Sequence, residues 1–129
     1  MNYTVQLRED LKLILATASG EWEPQKDNAM VHEIMETVDA SGSRKVLLDI
    51  RGLQFDLPII QIFERVKEMR EKRREFGISS TKAAIVYSAA NEKLDKDLAF
   101  FETASVNRGL PYRTFKDMDD AMAWLLGDA

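Results

Sequence analysis

One segment near the middle of the chain constrains the fold most. Residues 45–50 read KVLLDI, an almost wholly apolar run of the length expected for one buried strand. Asp49 and Arg51 interrupt the apolar pattern near its carboxyl end, and an amphipathic helical pattern follows at residues 58–76. In open α/β sheets, ligands and partners bind beyond the carboxyl ends of the strands. The pattern therefore predicts a central strand and places the functional region at its end.

Strand and helix patterns alternate along the rest of the chain. Period-two alternation predicts a hairpin formed by residues 3–8 and 11–18, with Glu9 and Asp10 in its turn. An apolar face predicts a first helix, Pro24–Ser41, with proline in its first turn and Gly42 at its end. The remaining predicted elements are a strand at 83–87, a helix ending near 108–109, a strand at Tyr112–Phe115 and a last helix capped by Asp117.

The predicted order is ββαβαβαβα, which defines the fold class. Strands that alternate with helices pair in parallel through right-handed crossovers, and the leading hairpin adds one antiparallel pair. We therefore expect one α/β domain over residues 1–129, with a mixed, mainly parallel sheet. No repeat, low-complexity segment or long linker divides the sequence.

Composition excludes several function classes. The chain has no cysteine and one histidine, His32, so we expect no disulfide, no cysteine nucleophile and no transition-metal site. We expect no catalytic constellation and no cofactor, since neither a P-loop nor a GxGxxG motif is present. The net charge of −4 argues against nucleic acid as a partner. The sequence contains no apolar run of ~20 residues and no signal-peptide pattern, so we expect no membrane span and a cytoplasmic protein.

Two segments carry a family resemblance. The strand region KVLLDIRGL at 45–53 and the ending YRTFKDMDDAMAWL at 112–125 resemble the STAS domain, the fold of bacterial anti-sigma-factor antagonists. The resemblance is closest to the SpoIIAA-like, or STAS/SEC14-like, branch and covers nearly the whole chain. It implies a bacterial interaction or regulatory module that is not an enzyme.

The resemblance also identifies a departure from the family pattern. In regulatory STAS proteins, an Asp-Ser or Asp-Thr pair begins the helix after this strand, and its hydroxyl is phosphorylated. Here the matching segment reads Asp56-Leu57-Pro58, and residues 45–77 contain no Ser or Thr. The resemblance therefore implies a module without the phosphorylation switch, binding a protein partner or a second copy of itself. The SEC14-like part of the branch name implies an alternative, which is a carrier or sensor of a small apolar or lipid-like ligand.

Three charged residues near the end of the central strand are candidate binding residues. Asp49 and Arg51 share strand parity, so they either pair with each other or hold a polar ligand. Asp56 either caps the following helix or acts as a functional acid.

A second loop offers polar candidates. Ser88 and Asn91 follow the strand at 83–87, with two alanines between them that allow close backbone approach. The segment either binds a phosphate or carboxylate, or it is an ordinary loop in which Ser88 or Asn91 caps the next helix.

The helix at 58–76 carries apolar residues on two sides. Its predicted core stripe comprises Ile59, Ile62, Val66, Met69 and Phe76. At ~100° per residue, Ile60 points almost opposite this stripe, flanked by Leu57 and Phe63. These three residues either pack under a neighbouring helix or form a docking surface, most simply for a homodimer with Glu64 and Lys67 at its rim.

The rest of this helix is strongly charged. We interpret residues 67–75 as a solvated mixed-charge surface, with Glu68/Lys72 and Glu71/Arg74 at pairing distance. His32 lies off the apolar face of its own helix, so we expect it to be exposed.

Overall fold

The computed structural model describes residues 1–78, 81–88 and 92–127. Within them, a five-stranded sheet has the order β1-β2-β3-β4-β5, with β1 and β2 antiparallel and the other neighbours parallel. The predicted element order and the mixed, mainly parallel sheet are therefore confirmed. The strands are β1 Asn2–Arg8, β2 Leu13–Glu21, β3 Lys45–Gln54, β4 Lys82–Val86 and β5 Tyr112–Phe115, and the helices are α1 Pro24–Ser41, α2 Ile59–Glu75, α3 Glu92–Asn107 and α4 Met118–Leu126.

The turn of the hairpin is two residues longer than the hydrophobic pattern predicts. The second strand begins at Leu13 instead of residue 11, because Leu11 and Lys12 belong to the turn. Lys12 adopts a left-handed backbone with φ 51°, and the amide of Leu11 donates to the carbonyl of Arg8 at 3.2 Å. Leu11 still packs beside the core, so its apolar character reflects burial of a turn residue.

Helix α4 lies alone on one face of the sheet, and its packing matches the sequence pattern. Asp117 caps it, with Oδ1 accepting from the amide of Asp119 at 2.8 Å. Trp124 is half-buried, its ring 5.7 Å from that of Phe115, and Lys82 Nζ lies 4.8 Å from the indole centroid. The core of this face consists of Leu13, Leu47, Ala84, Val86, Ala121 and Leu125.

Helices α1, α2 and α3 pack on the opposite face, over a larger core. Strand β3 separates the two faces by alternation, since Val46 and Ile50 belong to the three-helix core and Leu47 belongs to the α4 core. Asp49 has the parity of Leu47, so it points to the α4 face. This split places the candidate residues of the central strand on a different face from the start of α2.

Candidate functional site

A cavity of about 100 Å³ lies between the sheet and the three helices, beside the start of α2. Its walls are mainly apolar. The end of β3 and the loop that follows it form one side, because Leu53, Phe55 and Leu57 line the cavity. The helices and the sheet close the other sides with Met30, Leu48, Ile50, Ile62, Leu98 and Phe101.

A buried ion pair forms one polar part of the cavity wall. Arg65 Nη2 lies 2.8 Å from Asp27 Oδ2, and both side chains are almost fully enclosed, at 12% and 11% exposure. Arg65 Nη1 donates to Asn28 Oδ1 and to Glu68 Oε2, each at 2.9 Å. Nη2 itself is buried with no hydrogen-bond partner in the parts of the chain that the structure describes, because its contact with Asp27 lacks hydrogen-bond geometry.

Burial is the largest influence on the pKa of Asp27. Removal from water raises the pKa of Asp27, although the charge of Arg65 and a hydrogen bond from Trp22 oppose that rise. Asp27 therefore holds its negative charge at a cost, and the nearby guanidinium offsets only part of it. The cavity wall thus contains a buried carboxylate with a raised pKa in ionic contact with a guanidinium.

A second ionic contact ties the loop before α2 to α3. Lys93 Nζ lies 2.7 Å from Asp56 Oδ1 and 2.7 Å from Asp97 Oδ2, and it donates to the carbonyl of Leu57 at 3.4 Å. The hydrogen bond with Asp56 is the largest cause of the raised pKa of Lys93. Asp97 is buried and lines the cavity, whereas the side chain of Asp56 is 80% exposed.

The cap interpretation of Asp56 is wrong. Helix α2 begins after Pro58, which occupies the N-cap position, and no side chain among the described residues caps its amides. Asp56 lies two residues too early to cap, and its carboxylate is directed to Lys93 instead.

Two isoleucines at the start of α2 are left in water. Ile59 is 59% exposed and Ile60 is 64% exposed. The prediction that Ile59 joins the core stripe is wrong, because the first turn of α2 projects beyond the core and burial begins at Ile62. The alternative in which a neighbouring helix covers Ile60 is also wrong.

The other two members of the predicted apolar patch have different surroundings. Leu57 is half-buried and faces the cavity. Phe63 is half-buried under two cations, with the Arg108 guanidinium 4.1 Å and Lys67 Nζ 5.8 Å from its ring centroid. The exposed apolar surface at this place is therefore the Ile59–Ile60 pair, which we call the isoleucine pair.

The side chains of Asp49 and Arg51 hydrogen-bond to each other. Arg51 Nε donates to Asp49 Oδ1 at 3.0 Å, Nη2 donates to Oδ2 at 2.9 Å, and the Arg51 amide donates to Oδ1 at 3.1 Å. The hydrogen bond from Arg51 is the largest cause of the lowered pKa of Asp49. The pair lies on the α4 face, so it does not join Asp56 or the cavity. This geometry favours the structural ion pair over a ligand site.

Of the two candidate binding residues in the loop after β4, Ser88 lies within the described residues. Ser88 is exposed. Asn91 lies outside the described residues, and so do the two alanines before it. Tyr87, which precedes Ser88, is buried and donates to Asp95 Oδ1 at 3.0 Å, and burial is the first cause that raises the pKa of Tyr87 to about 12.

The charged segment of α2 is solvated with one exception. Arg74 pairs with Glu71 at 3.6 Å as predicted, but Glu68 pairs with Arg65 instead of Lys72. Arg73 is 5% exposed and donates to the carbonyl of Thr81 at 3.0 Å, so the prediction of a wholly solvated surface is wrong there. His32 is exposed as predicted.

The polar residues of the cavity were missed by the sequence interpretation, although a signal for one exists. Asp27 lies three and four residues before Met30 and Val31, on the apolar stripe of α1. A carboxylate within an apolar stripe is the type of departure that marks a buried partner or a site. Arg65 lies next to Val66 on the edge of its own stripe, where a lone arginine gives no comparable signal.

Comparison with known proteins bears on the fold. A solved structure of an anti-sigma factor antagonist from Mycobacterium paratuberculosis superposes with a TM-score of 0.57, covering 96% of this chain and 94% of that one. The fold is STAS-like. Sequence identity to that protein is 13%, so the likeness concerns the fold alone. No family model and no curated protein matches the sequence.

Neither a membrane-spanning helix nor a metal-binding cluster is present among the described residues. No helix within the described ranges is both long and apolar enough to cross a membrane. Across residues 1–78, 81–88 and 92–127, no group of three or more His, Asp or Glu side chains is placed to hold a metal ion.

Proposed function

We propose that this STAS-like domain is a non-enzymatic interaction module that binds through the isoleucine pair. The observation that carries the proposal is the exposure of two adjacent large apolar side chains, 59% and 64%, in the first turn of one helix. Leaving such area in water costs ~25 cal/mol per Å², and exposed apolar clusters often mark interfaces. The structurally similar protein is an anti-sigma factor antagonist by name, which supports a protein as the partner.

The proposed module works without a phosphorylation switch. The first turn of α2 and the loop before it contain no hydroxyl side chain, because residues 45–77 lack Ser and Thr. Leu57, which stands where the resembling family carries its hydroxyl, lines the cavity. Asp56 is already paired with Lys93, so this end of the helix carries a constant charge pattern.

A second copy of the chain is the partner we propose for the isoleucine pair. Two-fold dimers are the commonest closed assembly, and a helix face can pack against its own copy. Glu64 and Lys67 lie on the following turns, 4.0 Å apart, and supply charges of both signs beside the pair. A two-fold axis through the isoleucines would bring each charge near its opposite.

Sedimentation velocity over a wide concentration range tests this proposal. We expect the wild type to dimerise and Ile60→Asp to remain a folded monomer. Val106→Asp on α3 is the matched control, because Val106 is 58% exposed and lies outside the pair. It should dimerise as the wild type does. A wild type that stays monomeric at the highest concentration, or equal weakening by both variants, would contradict the proposal.

The cavity supports a second candidate function, a carrier or sensor of a small apolar ligand. Its apolar walls and position beside the strand ends are typical of small-molecule sites. Native mass spectrometry of gently purified protein tests it. A retained small molecule supports the candidate, provided that a cavity-filling Leu53→Trp variant purifies without it. Retention by both proteins would point to another location.

A further inference from the structure

We propose that the cavity beside α2, here called the first cavity, and a smaller second cavity next to it together bind one unbranched alkyl chain of about six carbon atoms. The inference rests on the second candidate function above, and it names the shape of the ligand and the place of each end. Three observations carry it: the two cavities share a wall, both follow one strand, and the far end is closed.

The second cavity, of about 50 Å³, adjoins the first. Three residues line both cavities: Leu48 of β3, Ile85 of β4 and Met69 of α2. The boundary between the cavities therefore lies between the sheet and the helix that packs over it. Met69 is half-buried, and a methionine side chain is unbranched and adapts its shape readily. Displacement of the Met69 side chain would join the two cavities into one space.

The two cavities follow the direction of β3. Val46 lines the second cavity, Leu48 lines both, and Ile50 lines the first. These alternate residues span roughly 13 Å of strand. Helix α2 shows the same progression, from Ile62 in the first cavity to Arg73 in the second. A small volume spread over such a length is narrow, so it favours an extended chain over a ring or a branched body.

The volume of the two cavities sets the length of the chain. The first measures about 100 Å³ and the second about 50 Å³, which together match the cavity of about 150 Å³ that is known to hold benzene. Benzene has six carbon atoms. By that measure the first cavity alone holds about four carbon atoms, and a chain of about six needs both.

The two ends of this space differ, which fixes the direction of the chain. Phe55 and Leu57 line the first cavity and are half-buried, so this end is open to the surface. Buried residues close the far end, where Arg73 donates to the carbonyl of Thr81 at 3.0 Å and its guanidinium lies 5.7 Å from the ring centroid of Tyr112. We therefore place the methyl end of the chain near Arg73 and its polar end at the mouth, in water.

The charged side chains in the wall of the first cavity already have partners. Arg65 Nη2 lies 2.8 Å from Asp27 Oδ2, and Lys93 Nζ lies 2.7 Å from Asp97 Oδ2. Because these groups contact one another, the enclosed part of the ligand needs no polar group.

NMR of carbon-13 methionine methyl groups tests where the chain lies. Met30 lines the first cavity, Met35 the second and Met69 both, whereas Met118 and Met122 lie on the α4 face. Straight-chain alcohols are suitable probes because they differ only in chain length. We expect butan-1-ol to shift the Met30 and Met69 signals saturably and to leave Met35 unchanged. Hexan-1-ol should shift Met35 as well, and neither alcohol should shift Met118 or Met122.

Binding affinity tests the length and shape of the chain. Each buried carbon should strengthen binding about fourfold, so hexan-1-ol should bind roughly sixteenfold more tightly than butan-1-ol. Octan-1-ol should bind no more tightly than hexan-1-ol, and the branched isomer 3,3-dimethylbutan-1-ol should bind more weakly. Ala83→Leu, which adds bulk to the second cavity, should leave the affinity for butan-1-ol unchanged and reduce the preference for hexan-1-ol to near unity. A full preference in the folded variant would contradict the role of the second cavity.

The outcomes separate the inference from the function on which it rests. If butan-1-ol shifts Met30 but no probe shifts Met35, the first cavity is a ligand site and the two-cavity inference is wrong. The inference is also wrong if the branched isomer binds as tightly as hexan-1-ol, or if octan-1-ol binds more tightly. If no probe shifts Met30 saturably, both the inference and the ligand-carrier function are wrong, while the interaction module is untouched. Because this mapping uses the wild type, it decides the inference even where Ala83→Leu does not fold.

Discussion

Two aspartate–arginine pairs lie on opposite faces of the sheet, and they differ in almost every physical respect. Asp49 and Arg51 are two residues apart on one strand and make a bidentate contact, with 48% of the arginine side chain exposed. Asp27 and Arg65 come from two helices and meet in the wall of the cavity, with 12% of the arginine exposed. The first pair is joined by two side-chain hydrogen bonds, whereas in the second the Nη2 nitrogen of Arg65 has no hydrogen-bond acceptor among the described residues.

The pKa shifts of the two aspartates express the same difference. Hydrogen bonds from Arg51 lower the pKa of Asp49, so folding favours its charged form. Burial raises the pKa of Asp27, so folding opposes its charge even beside Arg65. The comparison indicates that the charged pair on the α4 face is satisfied by its own hydrogen bonds. The three-helix face instead carries a buried ion pair with an unsatisfied nitrogen, together with exposed apolar side chains. The second combination is typical of a binding region.

The largest effect should come from Arg65→Ala. Removing the cation leaves the Asp27 carboxylate buried without a counter-charge, and such changes cost about 3 kcal/mol or more. Urea denaturation should show this loss at pH 7. Arg51→Ala is the matched control and should cost much less, because water replaces the lost contacts at that surface. Equal losses for the two variants would show that the pairs do not differ as the burial indicates.

Trp124→Ala tests whether the α4 face is structural. Trp124 is half-buried against Phe115, so we expect a loss of about 2–3 kcal/mol in urea denaturation, below the value typical of a fully buried tryptophan. Trp124→Phe retains an aromatic contact and should lose less than half of that. A Trp124→Ala loss below about 1 kcal/mol would mean that α4 contributes little to folding.

The Ile60→Asp monomer should unfold at the same urea concentration as a Val106→Asp monomer at high dilution.

The pH dependence of stability should have opposite signs for the two aspartates. Asp49 has a lowered pKa in the folded state, so its stabilising contribution is present above about pH 4 and is lost as the pH falls below it. Asp27 has a raised pKa in the folded state, so its protonation on acidification favours folding. From pH 6 to pH 3, the stability of the wild type relative to Asp49→Asn should fall, and relative to Asp27→Asn it should rise. Parallel trends would refute the comparison.

The smallest effect should be local. Lys93→Met removes the contacts of a half-exposed lysine with Asp56, the Leu57 carbonyl and the buried Asp97. We expect a smaller loss of global stability than for Arg65→Ala, because Lys93 itself lies at the surface, together with faster hydrogen exchange at the amides of residues 55–57. Lys96→Met, an exposed lysine on the same helix, is the control and should leave that exchange unchanged. Unchanged exchange in Lys93→Met would show that the lysine does not hold the loop.

The fold could be predicted from the sequence because apolar periodicity and capping residues act locally. The helix stop at Gly42, with φ 70°, and the cap at Asp117 are both read from neighbouring residues. The site could be predicted only in part. The pairing of Asp49 with Arg51 follows from strand parity, but the contact of Asp27 with Arg65 depends on how two helices cross, which no local pattern records.

Sequence patterns also predict the exposed surface only in part. Helical spacing assigned Ile60 correctly to the outside, since its angle differs from that of Ile62 and Val66. It misplaced Ile59, because an angle describes direction and says nothing about where the core ends along the helix. Likewise, an Asp near a helix start usually caps the helix. Here α2 begins only after Pro58, so Asp56 lies too early to cap it and pairs with Lys93 instead.

The central claim is that the three-helix face, at the isoleucine pair, is the interaction surface, and that the Asp49–Arg51 pair on the other face is structural. A concentration series of nitrogen-15 NMR spectra tests it most directly, since each amide reports its own surroundings. We predict concentration-dependent shifts confined to the amides near residues 59–64, with those of residues 49–51 constant. Shifts centred on residues 49–51 or on β1, or none at millimolar concentration, would contradict the claim.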